Sequence, residues 1–313
     1  MAIIPQAHLF DWQDLDAASD LDRFRLVLLS LPDEPFRGQR ADGSSWEKVT
    51  KWFGYKLHLV VDSVYELPIG FELTPASSSD CPELIPMTEQ LQVEHPELHA
   101  GIEEMTADKG YDSIANNRDL LDDHEVKPVI DKRTLWKGAD KTRPLYPDRV
   151  DSFVYDEDGH VYCLCPATAE QRELAFCGFE SERGTLKYRC PAAACGLTCA
   201  GRAECQRRAP LGVGDFGRVI RVPLELDRRI FTPIARPTAK WDKTYNRRTA
   251  VERVNARLDR VLGLELHFIR GQDKMQTRVT LALIVMLAMA LGRIRVGQAD
   301  QMRSLVAPVQ RAA

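Results

Sequence analysis

The stretch "EEMTADKGYDSIANNRDLLDDHEVKPVI", residues 103–130, decides the fold class. It opens as a short β-prone run that stops on an acid, Asp108, with Gly110 two residues on. "SIANNRDLLDDH" follows as a helix-like segment. Asp112 or Ser113 is its natural N-cap, because an oxygen-bearing side chain there accepts a backbone N–H that the first turn leaves unpaired. "EVKPVI" (125–130) then reads as another strand. Strand, helix and strand in such short order indicate a mixed α/β sheet. Taken alone, Asp108 fits a surface turn as well as it fits a metal ligand.

Working outward, "GYKLHLVVD" (54–62) and "LPIGFELTP" (67–75) alternate in polarity and are rich in β-formers. The short link Ser63–Glu66 makes them an antiparallel hairpin. "CPELIPMTEQLQVEHPEL" (81–98) reads as a helix, so the order is β-β-α-β-α-β. Upstream, "DLDRFRLVLLSL" (20–31) places Leu21, Phe24, Val27, Leu28 and Leu31 at helical spacing, and Pro32 ends the run. Residues 36–51 are polar and glycine-containing, and read as a loop. From about 131 to 232 the texture changes to a cysteine-rich region punctuated by Gly and Pro. Helix returns over 241–264 and again over about 275–294.

The composition is that of a soluble globular chain, with 44% hydrophobic and 28% charged residues among 313. "MAIIPQAHLFDWQDLD" lacks the basic start and apolar run of a secretory signal. The longest apolar run, Val279–Gly292, falls short of the roughly 20 residues a membrane span needs and is expected as a buried core helix. A cytosolic setting is therefore expected, in which cysteines serve as metal ligands or stay reduced. The net charge of −4 hides a split. Residues 227–260 hold ten Lys and Arg against Asp227, Asp242, Glu252 and Asp259. A basic segment of that density suggests a local anionic partner.

Within 241–264, Tyr245, Arg248, Glu252, Asn255 and Asp259 lie three or four apart and would share a helix face. Glu252 stands among Arg248, Arg253 and Arg257. An exposed helix with ordinary intrahelical ion pairs, each worth a few tenths of a kcal/mol, explains the pattern without any function.

The spacing Tyr245-x2-Arg248-x3-Glu252 resembles the signature helix of DDE-type bacterial insertion-sequence transposases. "WFGYKLHLVVDSVYELPIGFELTPAS" (52–77) resembles the second and third strands of their RNase H-like core, and "TADKGYDS" the fourth strand with its terminal aspartate. The resemblance runs in order over about residues 36–295. It implies metal-dependent DNA cleavage and strand transfer at the element's terminal repeats, by an oligomer assembled on double-stranded DNA. Asp108 and Glu252 would be catalytic ligands of Mg²⁺ or Mn²⁺, which prefer hard oxygen donors. Tyr245 and Arg248 would contact the DNA end, and Arg253, Arg257 and Arg260 would neutralise its backbone. The family carries a lysine seven residues after the glutamate, where this chain has Asp259 with Arg260 beside it.

The family also needs an aspartate on a first core strand. Asp42 lies in a loop, Asp62 ends the second strand, and Asp33 follows a helical run and a proline. None of them fits. Residues 1–35 resemble the start of the family's helical N-terminal domain, joined near Pro35–Phe36 to the segment before the second strand. An internal deletion that removed the first strand accounts for this. The expected divisions are 1–35 as that remnant, 36–130 as the first part of the core, 131–232 as a cysteine-rich insertion, 233–295 as its helical end and 296–313 as a flexible tail. The expectation is an impaired or inactive enzyme. The alternative is a non-catalytic DNA-binding protein that interferes with full-length transposase, and a zinc-containing interaction protein without a DNA role is a third.

Seven of the eight cysteines fall between 163 and 205. Cys163, Cys165, Cys190, Cys195, Cys199 and Cys205 sit at short spacings with turn residues between them, which suits tetrahedral Zn²⁺, though not in the spacing of a standard ribbon. Reduced structural thiols are the alternative. Cys177 and Cys81 are expected as small buried hydrophobes. His58 and His160 are expected as packing or surface residues. Trp46, Trp52 and Trp241 could stack on bases or anchor a core.

Overall fold

The computed structural model describes residues 2–10, 36–39, 45–48, 54–134, 136–138, 141–146, 153–165, 167–168, 170–208 and 217–305. The helix expected at 20–31 and the side chains of Trp46 and Trp52 lie outside the described residues. The strands are β1 (Ala2–Phe10), β2 (Phe36–Gln39), β3 (Ser45–Lys48), β4 (Gly54–Val61), β5 (Pro68–Pro75), β6 (Glu104–Ala107), β7 (Lys127–Ile130), β8 (Thr142–Pro144), β9 (Phe153–Asp156), β10 (Val161–Leu164), β11 (Gln171–Glu173), β12 (Ala175–Glu180), β13 (Thr185–Arg189) and β14 (Val219–Pro223). The helices are α1 (Leu84–Glu94), α2 (Pro96–Ala100), α3 (Ile114–Asp122), α4 (Pro191–Ala194), α5 (Arg202–Arg208), α6 (Ala239–Tyr245), α7 (Thr249–Leu262) and α8 (Gln272–Arg295). The fold is mixed α/β. The chain divides into two compact units, one of residues 1–94 with 249–313 and the other of residues 95–248.

In the first unit β4 and β5 form the expected hairpin, with Leu57 opposite Leu73. The other edge of β4 is taken by β1, antiparallel, with Ala2 opposite Val61 and Phe10 opposite Gly54. Residues 2–10 are thus extended, and β4 is paired along both edges. The physical reason is the unpaired row of N–H and C=O groups that β4 would otherwise present, which an Ile-rich segment can satisfy. Residues 36–51 are likewise not all loop, since β2 and β3 pair with Arg37 opposite Glu47.

The core of this unit sets Leu57, Leu59, Val61 and Leu73 of the hairpin against Val251, Val254 and Leu258 of α7 and Met275, Val279 and Leu283 of α8. Each fully buried aliphatic side chain contributes roughly 1.5–3 kcal/mol. α7 ends where Gly263, at φ +60, donates to the carbonyl of Asp259 while Leu264 donates to that of Leu258. That left-handed stop favours glycine because a Cβ would crowd it. α8 is long and apolar enough to cross a membrane by length and composition. Its fully buried residues are the stripe Met275, Val279, Leu283, Met286, Ala290 and Arg293, so the expected core helix is buried along one side only.

In the second unit β6 and β7 pair in parallel, Glu104 opposite Lys127 and Ala107 opposite Ile130, with α3 as the connection. The region 131–232 folds into two small antiparallel sheets, ordered β11-β10-β9-β8 and β12-β13-β14. They enclose a second core that includes Trp136, Phe153, Tyr155, Tyr188, Val222 and Phe231. The helix expected to run unbroken over 241–264 is two helices, α6 and α7, separated by a 3₁₀ turn at Asn246–Arg248.

Candidate functional site

Asp108 stands where expected, directly after the last residue of β6. It is partly exposed and caps the 3₁₀ turn Lys109–Tyr111, its Oδ1 accepting the Gly110 N–H at 2.7 Å. The loop is fixed from several directions. Tyr111 is fully buried as a plug. The Asn116 side-chain amide donates to the Tyr111 carbonyl at 2.8 Å, and Ser113 Oγ caps α3 by accepting the Asn116 N–H at 2.9 Å. Arg133 closes the far side. Its Nε donates to the Lys109 carbonyl at 3.0 Å and its Nη2 to the Gly110 carbonyl at 2.9 Å, while its own N–H reaches Asp112 Oδ2. Burial raises the Asp112 carboxyl above its usual range, against the pull of that N–H and of Arg236, Arg229 and Arg133. No local spacing marks Arg133, because it acts across more than twenty positions on backbone atoms.

Tyr245 and Arg248 belong to the same unit as Asp108. Glu104 on β6 holds their segment, lying 3.6 Å from Lys240 and 3.7 Å from Arg247 and accepting from Thr244 Oγ1 at 3.4 Å. Trp241 and Tyr245, one turn apart on α6, stack with centroids 4.8 Å apart and planes 14° from parallel. Arg236 lies 5.3 Å over the Trp241 ring and Arg248 5.3 Å over the Tyr245 ring. A cation over each ring suits its electron-rich surface. The 3₁₀ turn at Asn246–Arg248 separates Tyr245 on α6 from Glu252 on α7, so the expected common face of one continuous helix does not form.

Glu252 lies in the first unit, partly exposed in the first turn of α7, with Val251, Val254 and Leu258 turned into the core. The arginines after it divide by role. Arg260 is exposed. Arg253 donates through Nε to Glu66 Oε1 at 2.7 Å. Arg257 donates to the Glu66 carbonyl at 2.7 Å and lies 3.4 Å from its Oε2. Arg303 joins at 3.2 Å. Glu66 is buried and sits at φ +53, a backbone region a non-glycine residue enters at a cost. Arg253 and Arg257 thus have an internal counter-ion that spacing along the chain could not reveal.

Asp259, at the position where a lysine was expected, hydrogen-bonds Glu265 side chain to side chain. Burial and then the Asp259 charge push the Glu265 carboxyl up to about 7. Two carboxyl groups so placed share a proton rather than ionise together. His58 is fully buried on β4, its Nε2 2.9 Å from Thr74 Oγ1, as a packing residue should be. His160 sits beside Asp156, Nδ1 to Oδ2 at 3.1 Å.

All eight cysteines are free thiols. Cys177 is exposed, not buried, because the register of β12 slips between Phe176 and Gly178 and turns it outward as a bulge. Cys81 is partly exposed at the 3₁₀ turn before α1. Cys163 and Cys165 lie at the β10 end, Cys190 and Cys195 flank α4, Cys199 precedes α5 and Cys205 lies within it. Among the described residues, no three His, Cys, Asp or Glu side chains converge as ligands of one ion.

Of the family models, the one described as the transposase DDE domain matches residues 6–288. No curated protein and no solved structure matches the chain.

Proposed function

The chain belongs to the transposase DDE-domain family, and on that premise we propose that it is an insertion-sequence transposase that binds its element's DNA ends but is impaired in cutting them. Asp108 and Glu252 fill two of the family's three carboxylate positions. The observation that carries the impairment is β1. It pairs with β4, as a first core strand of an RNase H-like sheet would, yet its sequence "AIIPQAHLF" contains no acid.

Divalent ions would supply water activation and charge neutralisation at the phosphate. The donors present do not complete a two-ion centre: two carboxylates match, the third position is unfilled, and no acidic triad converges among the described residues. The hard-oxygen chemistry of Asp108 and Glu252 suits Mg²⁺ or Mn²⁺. Asp108 is held by its cap and by the Arg133 clamp on the following loop, which support a preset ligand.

Binding rests on other groups. Tyr245 and Arg248 are the contacts proposed for the DNA end, with exposed Arg260 as a backbone neutraliser. Arg253 and Arg257 contribute less, because Glu66 compensates them. Assembly on DNA as a homo-oligomer, in the cytoplasm, goes with the same proposal.

The test is a labelled duplex carrying the element's terminal repeats, incubated with the full chain and Mn²⁺. The expected result is salt-dependent binding without nicking above background. Robust nicking that disappears in Asp108→Ala, or in a variant of Asp11, the first acid after β1, overturns the impairment. Loss of salt-dependent binding altogether favours a protein without a DNA role.

A further inference from the structure

Tyr245 is the last residue of α6, and the chain enters a 3₁₀ turn immediately after it. A helix of seven residues is too short to hold itself in water. Neighbouring groups therefore decide where its last ring points. Glu104 on β6 anchors the helix through Lys240, Thr244 and Arg247. The ring itself rests on Trp241, one turn earlier, on the side to which a helical side chain leans. The two rings stack with centroids 4.8 Å apart and planes 14° from parallel.

Trp241 is held in its turn. Its N–H donates to Thr238 Oγ1 at 3.3 Å, and that hydroxyl donates to the Ala235 carbonyl at 2.6 Å. Its Nε1 is buried without a hydrogen-bond partner among the described residues, so stacking orients the indole. Arg236 lies 5.3 Å over that ring. This guanidinium is buried, and its Nε donates to the Arg229 carbonyl at 2.6 Å. Between those two residues Ile230, Phe231, Ile234 and Ala235 are buried as well, so the arginine ties the stack to a packed segment. Nη2 of Arg236 has no hydrogen-bond partner among the described residues. A buried cation short of one partner gains from the ring face it does reach. Arg248 completes the set, 5.3 Å over the Tyr245 ring.

We propose that Trp241 and Arg236 are positioning residues, which set the Tyr245 ring, and through it the Arg248 guanidinium, for contact with the DNA end. This rests on the role proposed above for Tyr245 and Arg248. Side chains ordered before binding lose less rotamer freedom when the end arrives. The gain falls on the end that they contact and leaves the general attraction of basic groups for phosphates unchanged.

The experiment compares two labelled duplexes by fluorescence anisotropy with the full chain. One terminates at the element's repeat, and the other has equal length and shuffled sequence. The parent is expected to prefer the first. Trp241→Leu should lose roughly tenfold of that preference, the scale of one ordered aromatic contact, with an unchanged salt slope. Arg236→Met should lose a smaller part, and Trp241→Phe, which keeps a ring that can stack, should recover most of it. Tyr245→Leu should add little to Trp241→Leu, because the pair acts as one unit. If Trp241→Leu does not fold, Trp241→Phe stands in for it: its smaller loss should vanish in the Tyr245→Leu background. Near-ultraviolet circular dichroism reads the stack without DNA, and Trp241→Leu and Tyr245→Leu should remove the same band. A preference retained in Trp241→Leu, or losses at the two positions that simply add, overturns the inference alone. Equal weakening on both duplexes makes Trp241 a core anchor and overturns it too. A parent with no preference between the duplexes removes the role of Tyr245 and Arg248, and the inference with it.

Discussion

Glu66 and Arg253 meet at 2.7 Å, Oε1 to Nε, across 187 positions of sequence. Arg257 and Arg303 complete the group around the same buried carboxylate. Removing one partner of a buried pair leaves the others uncompensated. The full penalty is about 3–5 kcal/mol, reduced here because Arg253 and Arg303 are half exposed. Glu66→Gln is therefore expected to cost about 2 kcal/mol, read as a lower urea midpoint, and to steepen the salt dependence of duplex binding as guanidinium groups are released. An unchanged midpoint would show that the cluster is a crowd of charges without mutual stabilisation.

Arg133 supplies two donors to the loop behind Asp108. Arg133→Ala should accelerate hydrogen exchange at Tyr111 and Asp112, whose N–H groups close the 3₁₀ turn, with a global cost of about 1–2 kcal/mol. Arg133→Lys should recover only part of the protection, because an ammonium lacks the planar fork that reaches both carbonyls. Equal protection in all three proteins would remove the clamp from the account.

His58 makes the first unit sensitive to acid. Burial lowers its imidazole to about 4, so the native state holds it neutral while the unfolded chain takes up a proton below about 6.5. Its contribution is thus present above pH 6.5 and is lost as pH falls through 4, up to roughly 3 kcal/mol over the window. Urea midpoints at pH 7, 5.5 and 4.5 should fall more steeply in the parent than in His58→Gln.

The Asp259–Glu265 pair has the opposite sign. The folded state raises the Glu265 pKa to about 7, so it holds the proton more tightly than the unfolded chain does. The pair's stabilisation is present below about pH 4.5 and is lost as pH rises through 7. Glu265→Gln should be less sensitive to alkali, and carbon NMR of the parent should show a carboxyl titrating near neutrality. Between pH 4.5 and 6.5 this slope opposes that of His58, so the parent's own profile understates both. Only the single variants separate them.

What the sequence disclosed was local. The β4–β5 hairpin, Asp108 at the end of β6 and the Ser113 cap of α3 follow from alternation, turn residues and side-chain oxygens within a few positions. What it concealed depended on distant partners. β1 carries Pro5 and little alternation, and only the open edge of β4 makes it a strand. The break at Asn246–Arg248 interrupts a spacing that continues through it in the sequence. Cys177 faces outward because of a register slip with β13. The Glu66 and Arg133 contacts leave no periodic trace, since each acts on atoms that sequence spacing does not relate.

α8 has a practical consequence. Its covered stripe leaves Leu281, Ile284 and Leu291 about half exposed along the opposite side. Sulfate and similar salts strengthen the tendency of such surface to leave water. The protein should salt out early under ammonium sulfate and be retained on a phenyl column, and low-salt buffers containing a mild detergent should improve its yield.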